Sequence, residues 1–310
     1  MNIINNTEFP HLQFEKVGYF GELFSVIVVS QTCNLLNEQS ACPISQVQRP
    51  PVLADSWLGE PEMSSLKTAT DLVCRKKRSD ILLSGHAWNA SGVAREWHAV
   101  FQLGTLSRTL SVCGSREWQY SDNEWRISQP AFTDNVPLHY ELASPEEFNP
   151  VGRRLPEDAD TRRIFPAPQL SFSPGPVCRS WPSRIRYAKG FTSQWQKYTR
   201  PYYPDEFDFN FLNCAPAEQQ YAGFLKGNEK IVLNGLLRPT TDFTSFLPGI
   251  RIWAQLYKGS GAPEHRLLLA DTLTCYTDEE QVTLLWRLTL PADSLPDRLI
   301  LMSGAETPHG

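Results

Sequence analysis

Three carboxylate side chains lie close together in the stretch YYPDEFDFNFLNCAPAEQQ, at Asp205, Glu206 and Asp208. A pair of carboxylates can hydrolyse a glycosidic bond when the two groups flank the sugar from opposite sides. If the stretch is a β-strand, Glu206 and Asp208 share one face and Asp205 lies on the other. Neighbouring acids seldom supply both partners, so the alternative interpretation is a solvated edge strand. Its core-facing side would then consist of three phenylalanines: Phe207, Phe209 and Phe211.

Motifs for phosphate binding, zinc hydrolysis and nucleophilic catalysis do not occur in the sequence. It contains no G-x-G-x-x-G, no G-x-x-x-x-G-K-[ST], no H-E-x-x-H and no G-x-S-x-G. The six histidines are far apart along the chain: His11, His86, His98, His139, His265 and His309. His86 in SGHAW is either a base or ligand, or a strand-end histidine with satisfied hydrogen bonds, and we favour the second interpretation. The sequence therefore predicts no catalytic residues, no metal ligands and no cofactor.

Seven cysteines are scattered along the chain without any C-x-x-C pair: Cys33, Cys42, Cys74, Cys113, Cys178, Cys214 and Cys275. An odd number without regular spacing argues against a disulfide framework and against a zinc site. We expect free thiols in a reducing compartment, several of them buried as small apolar side chains.

The charge of the chain changes sign after its middle segment. Residues 151–200 contain ten Lys or Arg against three acids, a net charge of +7, together with six prolines. Residues 201–229 contain five acids and one lysine, a net charge of −4. Basic and aromatic side chains together could bind single-stranded nucleic acid, and the basic segment carries Trp181, Tyr187, Phe191, Trp195 and Tyr198. A simpler interpretation pairs its arginines with the acidic stretch or with an acidic protein.

The bulk composition is that of a globular protein. Of 310 residues, 41% are hydrophobic and 20% are charged, and the net charge of −5 is small for this length. Such a charge argues against a dedicated nucleic-acid-binding protein. The N-terminus MNIINNTEFP lacks the features of a secretory signal, and no apolar run approaches the roughly 18 residues of a membrane span. We therefore expect a cytoplasmic protein without a membrane partner.

Alternating and β-branched runs dominate the sequence and predict a mainly β fold. They are ELFSVIVVS, VAREWHAVFQL, LSRTLSV, KIVLNGLL, IRIWAQLY, RLLLADTLTCY, QVTLLWRLTL and RLILMS. YSDNEW and TDEE predict hairpin turns. SPEEF predicts a short helix, and APAEQQYAGFL predicts a second one that starts at Pro216. We expect antiparallel sheets in a sandwich- or barrel-like arrangement, with few short helices and a Pro-rich middle segment. The chain is expected to form one unit, 1–310, or two β lobes, 1–143 and 190–310, joined by 144–189.

From about residue 67 to about residue 290, the order of several motifs is informative. KTATDLV, LSGHAW, LSVCGSREW, VPLHYE and NPVGR occur in that order. The block AKGFTSQWQKYTRPYYPDEFDFNFLNCAPAEQQ comes next, followed by LLRP and FLPGIRIWAQL. This succession resembles domain-of-unknown-function family twenty-one sixty-nine, which is found in bacterial type VI secretion gene clusters. The chain departs from that family at Thr68, where proline is usual, and at ELASPEEFNP, where A-F-G-G is usual.

The resemblance implies an adaptor or chaperone rather than an enzyme. Members of the family look like proteins that load a toxin effector, often linked to a PAAR tip or an Rhs shell, onto the VgrG spike. The implied partners are the effector and the spike, and neither nucleic acid nor membrane. The side chains expected to contact the partner are Trp195, Tyr202, Tyr203, Asp205 and Asp208. Two other functions stay open: a β-sandwich hydrolase acting on carbohydrate, and a single-stranded nucleic-acid-binding protein.

Overall fold

The computed structural model describes residues 1–18, 21–36, 40–145, 149–200 and 203–305. These residues form 21 strands and two α-helices of only four and six residues, which confirms the mainly β fold. In chain order the strands are β1 (Asn2–Asn5), β2 (His11–Val17), β3 (Leu23–Asn34), β4 (Ser56–Trp57), β5 (Leu66–Thr68), β6 (Ser79–Ser84), β7 (His86–Trp88), β8 (Glu96–Leu103), β9 (Leu106–Cys113), β10 (Glu117–Ser121), β11 (Glu124–Ile127), β12 (Asn135–Pro137), β13 (Phe165–Pro166), β14 (Gln220–Tyr221), β15 (Lys230–Asn234), β16 (Asp242–Phe246), β17 (Arg251–Tyr257), β18 (Glu264–Leu267), β19 (Leu269–Tyr276), β20 (Gln281–Pro291) and β21 (Arg298–Gly304). The helices are α1 (Pro182–Ile185) and α2 (Ser193–Tyr198), with 3-10 helices at Tyr140–Leu142, Phe209–Leu212, Ala217–Gln219 and Ala292–Ser294.

The largest sheet has six strands in the order β14-β6-β19-β20-β3-β2. β6 and β19 run parallel, and the other neighbouring pairs are antiparallel. The two longest strands, β3 and β20, pair along their length and are buried on both faces. A strand that is buried on both faces can carry an unbroken apolar run, which explains why VIVV in β3 does not alternate.

Two four-stranded sheets share a core with one face of the six-stranded sheet. Their strand orders are β16-β15-β8-β9 and β1-β21-β17-β18. The core contains Ile27 and Trp286 of the six-stranded sheet together with Leu233 and Ile252 of the other two sheets. No sheet formed by the described strands closes into a barrel, so the sheets are arranged in layers.

Strands from the two halves of the chain lie side by side in the same sheets. β3 pairs with β20 and β8 pairs with β15, so residues 1–143 and 190–310 contribute neighbouring strands. The Pro-rich segment between them is also packed into the fold, because Leu170, Val177 and Trp181 are buried. Both halves and the segment that connects them therefore contribute to shared cores.

Several local predictions can be compared directly with the structure. YSDNEW connects β10 to β11 as predicted, with Asp122 and Asn123 at positive φ, and TDEE connects β19 to β20. The single strand predicted for RLLLADTLTCY is wrong, because the chain passes at Leu268 from β18 in one sheet to β19 in another. The helix predicted to start at Pro216 is a single 3-10 turn. Residues 146–148 of SPEEF lie outside the described residues.

A layer of irregular chain covers the second face of the six-stranded sheet. Val28 and Leu285 belong to one buried cluster with Cys74, and Leu82 forms another with Cys214. Two ion pairs are buried at this face of the sheet: Lys76–Asp80 and Arg287–Asp271. The covering layer contains the distinctive block of the sequence, so the sheet determines where that block lies.

Candidate partner-binding surface

Residues 203–212 form a turn and a 3-10 helix, so the edge strand predicted here is wrong. Asp208 caps the 3-10 helix, since its Oδ1 accepts a hydrogen bond from the Asn210 backbone N–H at 2.9 Å. The same oxygen lies 2.6 Å from Lys77 Nζ. Burial alone would raise the pKa of Asp208, but the hydrogen bonds from Asn210 and Lys77 lower it below its ordinary value. A short acidic side chain that bonds the backbone two residues on favours a turn over an extended strand.

Asp80 on β6 anchors the residues that follow this turn. Its carboxylate accepts hydrogen bonds from the backbone N–H groups of Cys214 at 2.8 Å and Ala215 at 3.1 Å. Asn213 Nδ2 donates to it at 3.0 Å, and Lys76 Nζ lies 2.8 Å away. Because Asp80 is fully buried, one carboxylate fixes this part of the block against the six-stranded sheet.

Gln219 fixes the end of the block. Its fully buried side-chain amide donates hydrogen bonds to the carbonyl oxygens of Ile81 at 2.9 Å and Pro174 at 3.0 Å. Gln220 Nε2 donates to the carbonyl oxygen of Ala215 at 3.0 Å. The two glutamines therefore tie the alanine-rich turn to β6 and to the Pro-rich segment.

A cluster of aromatic rings is built on this anchored turn. Phe207 lies at its centre, with ring-centroid distances of 4.4 Å to Tyr203 and 5.4 Å to Phe209. Phe211 and Phe191 complete the cluster at 5.7 and 5.9 Å from Phe207. Phe207 and Phe209 are buried. Most of these contacts are edge-to-face, an arrangement that stabilises aromatic pairs beyond their burial alone.

Helix α2 carries the exposed part of the cluster. Its Trp195 ring centroid lies 4.7 Å from that of Phe191, whose side chain is 45% exposed. No residue of α2 is buried, and Tyr198 is 71% exposed. The helix begins after Thr192, whose Oγ1 accepts a hydrogen bond from the Trp195 backbone N–H at 3.1 Å. Aromatic side chains are thus presented to solvent from a base that is fixed to the fold.

The surface around α2 is basic. Residues 161–204 contain eight Lys or Arg and no acidic residue. Four of these cations are exposed around the helix: Arg186, Lys189, Lys197 and Arg200. We define residues 185–200 as the α2 surface. On a chain with a net charge of −5, the segment that forms this surface carries a net positive charge in sequence, although Glu206 lies beside Gly190.

The residues predicted to contact a partner have different environments. Trp195 lies on the α2 surface, and Tyr203 is half-buried in the aromatic cluster, where burial raises the pKa of its hydroxyl. Asp205 is exposed in the turn before the 3-10 helix, and Asp208 caps that helix. Tyr202 lies outside the described residues. Among the described residues of this set, Asp205 is exposed, whereas Trp195, Tyr203 and Asp208 are half-buried.

The sequence interpretation missed the helix that organises this surface. The exposed side chains of Ile185, Phe191 and Tyr198 were not among the predicted contacts. A capping signal was present, because Thr192 stands three residues before Trp195 and its side chain can accept that residue's N–H. The helix is too short to produce an amphipathic repeat, which is why periodicity did not reveal it.

His86 is held by hydrogen bonds at the start of a strand, and the cysteines are buried. His86 Nδ1 lies 2.8 Å from Asp278 Oδ2, and its backbone N–H donates to Thr277 Oγ1 at 2.9 Å. These contacts join the start of β7 to the β19–β20 turn, as the strand-end interpretation predicts. Within the described ranges, no group of three His, Cys, Asp or Glu side chains could hold a metal ion. All seven cysteines are free and buried.

Most of the chain matches the model of a known protein family. The model of the family DUF2169, described as an uncharacterized protein conserved in bacteria, matches residues 21–287. No curated protein and no solved structure shows significant similarity to the chain. None of the helices in the described part of the chain is both long and apolar enough to cross a bilayer. Since the match covers most of its length, the chain belongs to the bacterial family DUF2169.

Proposed function

We propose that this protein is an adaptor that binds a partner protein through the α2 surface. The observation that carries the proposal is the exposure of Phe191 and Tyr198 beside Trp195, on a base fixed by buried aromatic rings. Trp and Tyr are enriched among the residues that dominate binding energy at interfaces. A base that is already ordered lowers the entropy lost on binding, so it favours a stable complex.

The charge of the α2 surface favours a partner with an acidic face. Arg186, Lys189, Lys197 and Arg200 are exposed in the same segment as the aromatic side chains, and they outnumber Glu206, whose carboxylate lies beside Gly190. Exposed charges of this kind speed the encounter of two proteins and help to set their register. Their effect is screened over about 8 Å at physiological ionic strength, so binding should become slower as salt is added.

The proposed partner is a type VI secretion effector linked to a PAAR or Rhs element, which the adaptor loads onto the VgrG spike. This proposal rests on the resemblance of the motif order to proteins of type VI secretion gene clusters. The adaptor performs no chemistry on its partner. The role of Asp208 supports binding over glycoside hydrolysis, because its carboxylate is engaged by Lys77 and by Asn210.

The test uses the tagged full-length protein. A bound effector is identified by mass spectrometry after a pull-down from the native host, then purified and titrated against the wild type and two variants. We expect Trp195→Ala and Tyr198→Ala to weaken binding at least tenfold, as loss of an aromatic anchor does. The melting temperature of Tyr198→Ala should stay unchanged, because that side chain is 71% exposed. Trp195→Ala should lower it slightly, because the half-buried Trp195 ring packs against Phe191.

Phe132→Ala is the matched control, since its ring is 63% exposed and stacks on Arg95 outside the α2 surface. Full capture by the folded Trp195→Ala and Tyr198→Ala variants would remove the α2 surface from the interface. Turnover of a glycan by the wild type would contradict the adaptor function and support the hydrolase function instead. Tight binding of a single-stranded oligonucleotide without any protein partner would contradict the adaptor function and support nucleic-acid binding instead.

A further inference from the structure

A pocket of about 240 Å³ opens between α1 and the alanine-rich turn of residues 215–220. Arg184 and Arg186 line it from the side of α1, Ala217 lines it from the turn, and Arg108 lines it from β9. The pocket shares Arg186 with the α2 surface, so a partner bound there could also reach into the pocket.

The charges that line the pocket favour an anion. Arg184 is buried, yet its guanidinium donates to the carbonyl oxygens of Phe211 at 3.1 Å and Val177 at 2.8 Å rather than to a carboxylate. A guanidinium has five N–H donors, so these two bonds leave donors for a ligand. Among the described lining residues there are three arginines and a single acid, Glu218. Within the described part of the lining, cations therefore outnumber acids.

Two polar atoms at the pocket have no hydrogen-bond partner among the residues that the structure describes. Asn149 is only 5% exposed, and its Oδ1 has no partner, although its Nδ2 donates to the carbonyl oxygens of Tyr140 and Ser144. Ser183 Oγ is also buried without a partner. A buried acceptor without a donor is destabilising, and native structures rarely leave one unexplained. A ligand that carries an N–H donor as well as an anionic group would satisfy both features of the site.

The volume of the pocket restricts the size of what enters it. Pockets that take drug-sized ligands measure roughly 300–1,000 Å³, which is more than this pocket offers. A carboxylate with its neighbouring peptide group is smaller, carries an N–H donor, and matches the planar fork of an arginine through two parallel hydrogen bonds. We infer that the pocket binds a carboxylate of an acidic peptide segment in the partner protein. This inference rests on the proposed adaptor function and names the chemistry that the partner must present.

The peptide carboxylate could belong to an acidic side chain or to a chain end, and three fluorescein-labelled peptides distinguish the two. The first has two adjacent glutamates and blocked ends, the second has glutamines instead, and the third has glutamines and a free C-terminal carboxylate. Binding is measured by fluorescence anisotropy against the full-length protein. We expect the glutamate peptide or the free-end peptide to bind at least tenfold more tightly than the blocked glutamine peptide, and the tighter of the two identifies the source.

Ala217→Leu is the principal variant, because Ala217 is exposed at the rim and a larger side chain fills the pocket without changing its charge. Arg108→Gln removes one lining cation, and Arg78→Gln is the control because it removes an exposed cation outside the pocket. We expect the first two variants to bind the carboxylate peptide at least tenfold more weakly and the control to bind it as the wild type does.

Equal binding by Ala217→Leu and wild type, or equal binding of all three peptides, would overturn the inference. A single-stranded oligonucleotide that binds more tightly than any peptide and is excluded by Ala217→Leu would also overturn it. If Ala217→Leu captures the effector fully while Trp195→Ala does not, the adaptor function stands and the pocket inference falls. If no effector is captured but the carboxylate peptide binds the pocket, the adaptor function falls and the pocket inference stands.

Discussion

Lys76 Nζ lies 2.8 Å from Asp80 Oδ2, and both side chains are almost completely excluded from solvent. The lysine also donates to Thr272 Oγ1 at 2.7 Å. Since the other acceptor positions of Asp80 are taken by donors of residues 213–215, the pair joins the six-stranded sheet to the block that carries the aromatic cluster. The position of residues 213–215, which directly follow the aromatic cluster, therefore depends on a buried ion pair.

Asp80→Asn should destabilise the protein severely. It removes the charge that neutralises a buried lysine, and breaking a buried pair in this way lowers the free energy of unfolding by about 3–5 kcal/mol. Chemical denaturation measures the change. Asp208→Asn is the matched control, because its partner Lys77 is 49% exposed and a solvent-exposed pair contributes less than about 1 kcal/mol. Equal losses for the two variants would show that Asp80 does not anchor the block.

The same pair should make stability depend on pH. Burial alone would raise the pKa of Asp80, but Lys76 and the hydrogen bonds from Cys214 and Asn213 lower it below its ordinary value. A carboxyl with a lowered pKa stabilises the fold above about pH 4, its unfolded value, and this contribution is lost as the pH falls through the folded value. The difference in unfolding free energy between wild type and Asp80→Asn should therefore shrink in acid. A difference that stays constant down to the acid transition would contradict this account.

Gly190→Ala should disturb the base of the α2 surface. Gly190 has φ +85°, and a Cβ added there would collide with the ring of Pro204. A left-handed conformation alone destabilises alanine by roughly 1–2 kcal/mol, and the collision adds to that. Gly223→Ala separates the two effects, because Gly223 has φ +89° but nothing within 4 Å of an added Cβ. We expect Gly190→Ala to lower the unfolding free energy more than Gly223→Ala does, and equal losses would exclude the collision.

The cysteines should be unreactive in the native protein. Burial raises the pKa of Cys214 and of Cys275, each to about 12, and the thiolate is the form that reacts. Titration with a thiol reagent near pH 8 should be slow without denaturant. All seven thiols should react after denaturation in the absence of reductant. Fewer than seven reactive thiols would indicate a disulfide, and rapid native reaction would show that the thiols are accessible.

Strands whose own residues alternate between apolar and polar were predictable from the sequence. The hairpin of β8 and β9 follows from alternation, which places Ala99, Phe101 and Leu103 in the core, as observed. Val93, expected on the same face, precedes the strand and is 69% exposed. The pleat determines which side chains share a face, but the end of a strand depends on the partner strand with which it pairs.

The block around Phe207 was not predictable in the same way. Alternating acids and phenylalanines have the period of a strand, and local pattern alone therefore favoured an extended conformation. The observed turn depends on the Asp208 cap and on the contact of Cys214 with Asp80. Asp80 is distant in sequence, and its own run, SDILLS, gives no sign of this contact. Trp195 was recognisable as an aromatic residue in a basic segment, whereas the pocket beside it is assembled from several separate parts of the chain.

The pairing of β3 with β20 has a consequence for how the protein is made. Asn34 and Gln281, which face each other at one end of this pairing, are 247 residues apart in the chain. At a synthesis rate of roughly 5–20 residues per second, β20 is synthesised on the order of 12 to 50 seconds after β3. Folding must then close a long loop to form the sheet, which is slow for such non-local contacts. During that interval the apolar VIVV run is a site for aggregation, and nascent chains should need a general chaperone until β20 has left the ribosome.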